Sequence, residues 1–346
     1  MKPNLALLLA LTFPAFAWAT TAPKPAAAVA TPAKSAAYRM YASASLTKAQ
    51  KNSPTPEDFG LFFRTDDGKW KPFGPRVGIS GLTVRPGDNS FMLVPSSDGV
   101  VRSRDGGKTW RMVTGWEVGD VLSIVFDGID PQLVYGATAW GPIRSTDGGE
   151  TWTAALAGLA KPYCQTIVSD PHQRGRVLLG TEDGIYVSTD AAQTWTRLES
   201  PATTILRLVR STVDPRFLLA GTQGRGAWVS RDNGVSWSAV DPVSATANLY
   251  GAALHPRDAA TMAVAGWGVG VRVSVDGGAT WADRSAGLPV KNVLVLAFDP
   301  DAPSRLWAST FEEGSFYSDD LGRTWQNGGL YGANGTDYIF VPNPRR

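Results

Sequence analysis

The chain has 346 residues, 43% hydrophobic and 18% charged, so it can bury a real core and is not a disordered polymer. Gly (37) and Trp (13) are abundant while Met (5) and His (2) are scarce, a mix that points to tight turns and aromatic-anchored strands and away from helices. A net charge of +2 gives no case for a nucleic-acid partner, and the one cysteine, Cys164, excludes an intrachain disulfide and a Cys-based metal cluster.

The chain opens with Lys2, an apolar run from Leu5 to Ala17 interrupted by Pro14, and then Ala17-Trp18-Ala19. A positive start, a short apolar stretch and an A-x-A end are the layout of a secretory signal peptide. Residues 1–19 are therefore expected to be removed on export to the periplasm or beyond, with no cysteine after the cut to carry a lipid. Residues 20–37 are mostly Ala, Pro and Thr, with Lys24 and Lys34 and no acid; they read as a flexible linker. No later segment has enough continuous apolar residues to span a bilayer.

Everything from Tyr38 to Arg346 is governed by an internal repeat. The octad S-x-D-x-G-x-T-W occurs at Ser103–Trp110, Ser145–Trp152, Ser274–Trp281 and Ser318–Trp325, and with one change each at Ser188–Trp195 and Ser230–Trp237. A shortened copy, Arg64–Trp70, precedes them, and successive starts lie 39, 42, 43, 42, 44 and 44 residues apart. A period of that size, with short apolar runs between turns, marks propeller blades. Gly60, Gly99, Gly141, Gly184, Gly226, Gly270 and Gly314 stand four residues before the octads, where a tight turn between second and third strands needs φ > 0. Tyr38–Ser43 reads as a second strand with no first strand before it, and residues 337–344 read as a first strand with no second after it. Paired, they complete the blade of the shortened octad. The fold expected is an all-β, seven-bladed β-propeller closed by pairing of its N- and C-terminal strands.

The octad resembles the Asp-box, or BNR repeat, of sialidase-like propellers. Its acids, Asp66, Asp105, Asp147, Asp190, Asp232, Asp276 and Asp320, are expected to clamp turns by accepting backbone N–H bonds. A residue present in every blade builds blades, and in the resembling families the boxes lie away from the active site. Ala192 replaces the turn glycine of its octad, and a distorted turn is expected there. His172 and His255 fall in turns between first and second strands, and Cys164 opens a first strand with no histidine beside it, so neither type reads as catalytic.

Propeller ligands generally bind at the axis, on the face built by loops from fourth to first strands and from second to third strands. Subtracting box, strand and signal tryptophans leaves Trp116, Trp140 and Trp267, all in loops of that face. The candidate binding set is these three with Arg76, Glu117, Tyr163, Arg225, Tyr250, Lys291, Glu313 and Tyr331; Asp120, Phe311 and Asp337 stand nearby. Aromatic rings beside mixed charges suit a peptide anchor or a sugar. The 44–58 segment is longer than its counterparts and reads as a lid, a partner-binding arm or a mobile insertion.

Regular boxes in all blades, one propeller and an export signal also resemble the photosystem II stability/assembly factor family and its exported bacterial relatives. That resemblance implies a monomeric, non-catalytic protein without cofactor or metal that binds a protein or peptide of a membrane or envelope complex. The alternative is a sialidase-like glycoside hydrolase or a carbohydrate-binding protein. The sialidase F-R-I-P motif is absent, with Pro75-Arg-Val-Gly78 a poor substitute, and xyloglucanases with Asp-boxes use two propellers. The arginine-rich patch of the assembly-factor family is not carried over: Arg207, Arg210, Arg216 and Arg225 are close in sequence but sit on alternating positions.

Overall fold

The computed structural model of the chain describes residues 36–46, 59–240 and 245–343. The expected signal peptide, most of the linker and most of the 44–58 loop lie outside the described residues. Among the described residues there are 28 strands and no helix, and the strands form seven four-stranded antiparallel sheets. Each sheet is one repeat. In the third blade the strands are Val121–Phe126, Val134–Thr138, Ile143–Ser145 and Thr153–Ala154, in that order from the inside outward. The outermost strands are mostly two residues long and start just after the box tryptophan, so little unpaired edge is left for association.

The first blade is assembled from both ends of the chain. Asn334–Pro342 pairs antiparallel with Tyr38–Ser45, in a register running from Tyr38 opposite Pro342 to Ser45 opposite Asn334. Asn343 N–H donates to Ala37 O at 2.7 Å, just beyond the last paired residues. Closure shows again in the core. Seven buried clusters exist, and each is shared by two neighbouring blades: Val295 and Trp307 of the last blade meet Met40, Ala42 and Tyr338 of the first, and Tyr41 and Leu61 of the first meet Met92 and Val94 of the second. The hydrophobic driving force therefore lies between sheets around the whole ring.

The box is a folded clamp. In each full copy the Ser hydroxyl donates to Asp Oδ1 (2.7–2.8 Å) and accepts the N–H of the residue four positions on. The same Asp Oδ1 accepts the backbone N–H of the Thr or Ser four residues later, and Oδ2 accepts its hydroxyl at 2.5–2.7 Å. In three of the full copies the tryptophan then staples blades together. The indole N–H of Trp195 reaches Ala155 O (2.8 Å), that of Trp281 reaches Val240 O (2.8 Å) and that of Trp325 reaches Arg284 O (2.6 Å), each in the preceding blade.

Two box expectations are corrected. In the shortened copy the acceptor is Asp67 and not Asp66. Thr65 Oγ1 donates to Asp67 Oδ1 at 2.5 Å and accepts Lys69 N–H at 3.1 Å, because the missing residue draws the clamp one position toward the tryptophan. The Ala192 turn is not distorted. Ala192 N–H reaches Ser188 Oγ at 2.9 Å as the glycines do, and the chain accepts φ values of +59° at both Ala191 and Ala192 to keep the clamp. The strain is held by burial, since Ala192 is 1% exposed against Tyr186 and Trp195.

Candidate functional site

Antiparallel strands bring the fourth-to-first and second-to-third loops of every blade to one end of the sheets, and the boxes to the other. Hydrogen bonds tie neighbouring loops of the first group together. Asp120 N–H donates to Ser97 O (2.8 Å) and Ala139 N–H donates to Asp120 O (3.1 Å). Glu182 N–H reaches Tyr163 O, Trp267 N–H reaches Asn248 O, and Phe311 N–H reaches Asn292 O. A second clamp that the sequence reading missed recurs here. The Ser or Thr ending a second strand donates to the carbonyl of the turn glycine: Ser96 to Gly99, Thr138 to Gly141, Thr181 to Gly184, Thr222 to Gly226 and Thr310 to Gly314. A Ser or Thr three or four residues before the repeated glycine was its signal. All seven of these glycines have φ between +65° and +131°.

These turns decide where the aromatic rings go. Thr138 Oγ1 also accepts Trp140 N–H at 2.9 Å, so Trp140 is held at the tip of a closed turn with its ring 68% exposed. Val118 N–H closes a turn onto Gly115 O, which puts Trp116 (97% exposed) and Glu117 at its tip. Trp116, Glu117 and Trp140 thus share the corner of the third blade. On the far side of the ring, Trp267 packs edge-on against Phe311 at 5.0 Å between centroids and is 49% exposed. Tyr331, 67% exposed, lies in the neighbouring loop that leads into the first blade, and Tyr250 is half-buried in the loop before the sixth.

The remaining candidates are dispersed. Arg76 is exposed over Phe59. Arg225 is exposed, and its carbonyl accepts the Trp228 indole N–H at 2.9 Å. Lys291 pairs with Asp283 at 3.5 Å, and Glu313 is exposed in the seventh blade's turn. Tyr163 is half-buried, its phenol pushed up from its ordinary pKa chiefly by burial. Cys164 beside it is fully buried, its thiol pushed up to about 12 by burial. The four arginines of the fifth blade do separate: Arg207 pairs with Asp337, Arg210 with Asn233 and Arg216 with Asp214. Arg207 reaches the channel itself, which sequence spacing did not reveal.

The family model described as BNR/Asp-box repeat matches residues 143–154, the octad of the third blade with its flanks. A xyloglucanase of a Paenibacillus sp is 26% identical over 258 residues, 60% of this chain and 25% of that protein. Among solved structures, the Niastella koreensis GH74 enzyme superposes with a TM-score of 0.65 at 19% identity, over 77% of this chain and 51% of that one. The chain thus spans a quarter of the curated xyloglucanase and about half of the GH74 enzyme. YCF48 bound to D1 peptide superposes with a TM-score of 0.59 at 19% identity, over 76% of this chain and 86% of that one. YCF48 from Cyanidioschyzon merolae gives 0.58 at 17% identity, over 76% and 89%. The chain is a seven-bladed β-propeller with Asp-box (BNR) repeats, and its structural neighbours include both YCF48 and GH74 propellers.

Proposed function

We propose that the chain is an exported, non-catalytic binding protein whose loop face captures a polypeptide segment of a membrane or envelope complex. One observation carries the reading: Trp116, Trp140, Trp267 and Tyr331 are exposed on the face opposite the boxes, where none belongs to the repeat framework. Large exposed rings held on hydrogen-bonded turns are what an interface anchor requires, and their cost in water is recovered on binding. The YCF48 structure with a D1 peptide supports the same use of this fold, and this chain covers 86% of it. Removal of residues 1–19 delivers the propeller outside the cytoplasm. The partner would then be met in the periplasm or at the membrane surface, by a monomer that needs no metal or cofactor.

The test is site-specific photo-crosslinking. A benzophenone amino acid at Trp140 or Trp267 should capture a defined membrane or envelope polypeptide in cells, identified by mass spectrometry. The same probe on the box face, at Val275, should not. N-terminal sequencing of the exported protein should begin at Thr20. A second reading, a glycan-binding or glycan-cleaving propeller, is favoured by the xyloglucanase likeness and by the same rings. Retention on a glycan array combined with an empty crosslinking result would transfer the conclusion to it.

A further inference from the structure

The two aromatic corners of the loop face differ in charge. At the third-blade corner three loops converge through the backbone of Asp120, whose N–H binds Ser97 O and whose C=O accepts Ala139 N–H. Residues 96–98, 113–120 and 138–142 carry Asp98, Glu117 and Asp120 and no Lys, Arg or His. All three acids are exposed, and among the described residues none of them forms an ion pair. The Asp98 carboxylate accepts a long contact from Ser97 Oγ at 3.5 Å. Beside them stand the two most exposed tryptophans, Trp116 and Trp140. Of the nearby bases, Arg102 and Arg104 bind Glu150, Arg111 is exposed on the outermost strand of the second blade and outside the three loops, and Lys161 lies in the loop before the fourth blade. The opposite corner, around Trp267 and Phe311, also carries acids, Glu312 and Glu313, but it mixes them with a base, Lys291, which pairs with Asp283.

We infer that the third-blade corner docks a basic polypeptide segment, a Lys or Arg side chain lying on Trp116 or Trp140 among Asp98, Glu117 and Asp120. The inference rests on the loop face being a protein-binding surface. The indoles supply the contact and the carboxylates choose the occupant. A cation is drawn to the face of an indole, and more strongly where unpaired carboxylates flank it. A neutral sugar could use the rings but would be indifferent to the three charges, and a phosphate polymer would be repelled by them. The corner is also set before binding. Asp120 is held at φ +46°, a strained value for a residue with a side chain, by hydrogen bonds on both sides of its backbone.

The test uses the mature protein and two labelled decapeptides, alternating Lys-Gly and alternating Glu-Gly, with indole N–H resonances as the readout. The Lys-Gly peptide should shift the resonances that vanish in Trp116→Ala and Trp140→Ala, and the Glu-Gly peptide should not. Glu117→Gln with Asp120→Asn should weaken the Lys-Gly peptide by about tenfold, and added salt should weaken it further. Asn tolerates the left-handed backbone at position 120, and unchanged melting of the double variant confirms that the corner is intact. Equal shifts with both peptides, no shift at millimolar Lys-Gly, or shifts by a neutral oligosaccharide that ignore the charge variants would each overturn the inference. Crosslinking at Trp267 separates the two levels. If it still captures a polypeptide while the Lys-Gly peptide fails, the binding face stands and the basic segment falls; if it too captures nothing, the protein-binding reading falls with it.

Discussion

Arg207 Nη2 donates to Asp337 Oδ1 at 2.5 Å, joining the innermost strand of the fifth blade to the innermost strand of the first. In a ring of seven those blades are as far apart as two blades can be, so the pair crosses the central channel. Both residues follow the extra residue of a β-bulge: Leu206 between Ile205 and Arg207, Thr336 between Gly335 and Asp337. The bulge re-aims the strand where it reaches the loop face. The same irregularity recurs at Leu122, Gln165 and Leu294, so the channel mouth is a repeated feature that two blades have charged.

The pair tests closure of the ring. Its side chains are 30% and 19% exposed, between the weak surface pair and the costly buried one. Arg207→Ala and Asp337→Ala should each lower stability by about 1–2 kcal/mol, and a double-mutant cycle should give a coupling of about 1 kcal/mol. A urea-unfolding cycle measures it. A coupling under about 0.3 kcal/mol would mean that the two side chains do not meet in solution.

The boxes should make the protein acid-labile in a defined window. Asp105, Asp147, Asp190, Asp276 and Asp320 are held at about 2, against an ordinary 3.8, and Asp232 is also lowered. At Asp147 burial alone would raise the value, but hydrogen bonds from the Thr151 hydroxyl and N–H, the Ser145 hydroxyl and Glu150 N–H overcome it. A carboxyl depressed by folding contributes its full stability above its unfolded pKa and loses it as pH falls to its folded pKa. The urea midpoint should therefore be flat from pH 7 to 5 with respect to these groups, then drop steeply from about pH 4 toward pH 2. Asp147→Ala should cost about 1–2 kcal/mol at neutral pH and make the acid limb shallower. Unchanged melting with lost partner binding would instead give the box a direct role.

Much of this architecture was legible because it repeats. An octad at a period of 39 to 44 residues carries the blade, and its Trp and Gly carry the staple and the turn. The closing strand was legible as an orphan at each terminus. What repeats imperfectly was harder. Losing one residue before Trp70 moved the clamp from Asp66 to Asp67, a local adjustment that the other copies do not show. Ala192 looked unable to take a glycine's place, yet tertiary packing on Tyr186 and Trp195 holds it there. The Arg207–Asp337 contact joins residues 130 positions apart and depends on ring geometry, so no spacing rule could find it. At the candidate site, loop position identified the rings, but only the bonds through Asp120 showed which acids stand beside which ring.

Cys164 should behave as an inert core atom. It is fully buried, its Sγ lies 3.2 Å from Thr138 O, and burial pushes the thiol up to about 12. The thiolate is the reactive form, so the folded protein should resist thiol reagents at pH 8 and label only at the rate at which it unfolds. Rapid stoichiometric labelling under native conditions would show that the interface between the third and fourth blades opens.

Trp140, Trp267 and Trp307 form a graded series in which stability and binding should part company. Trp307 is fully buried between the last and first blades, so Trp307→Ala should cost about 3–5 kcal/mol. Trp140 is 68% exposed and packs on little, so Trp140→Ala should change stability by no more than about 0.5 kcal/mol. Trp267 falls between, because its truncation forfeits the edge-on contact with Phe311, worth about 0.5–1.5 kcal/mol. Binding of the partner should follow a different order. Trp140→Ala and Trp267→Ala should each weaken it by about 2 kcal/mol or more, the scale of an interface anchor. The measurement pairs thermal melting with affinity for the polypeptide captured by crosslinking. Normal binding by both loop variants would remove this face from consideration. A Trp140→Ala protein as unstable as Trp307→Ala would show that the ring plugs the fold and is not held out for a partner.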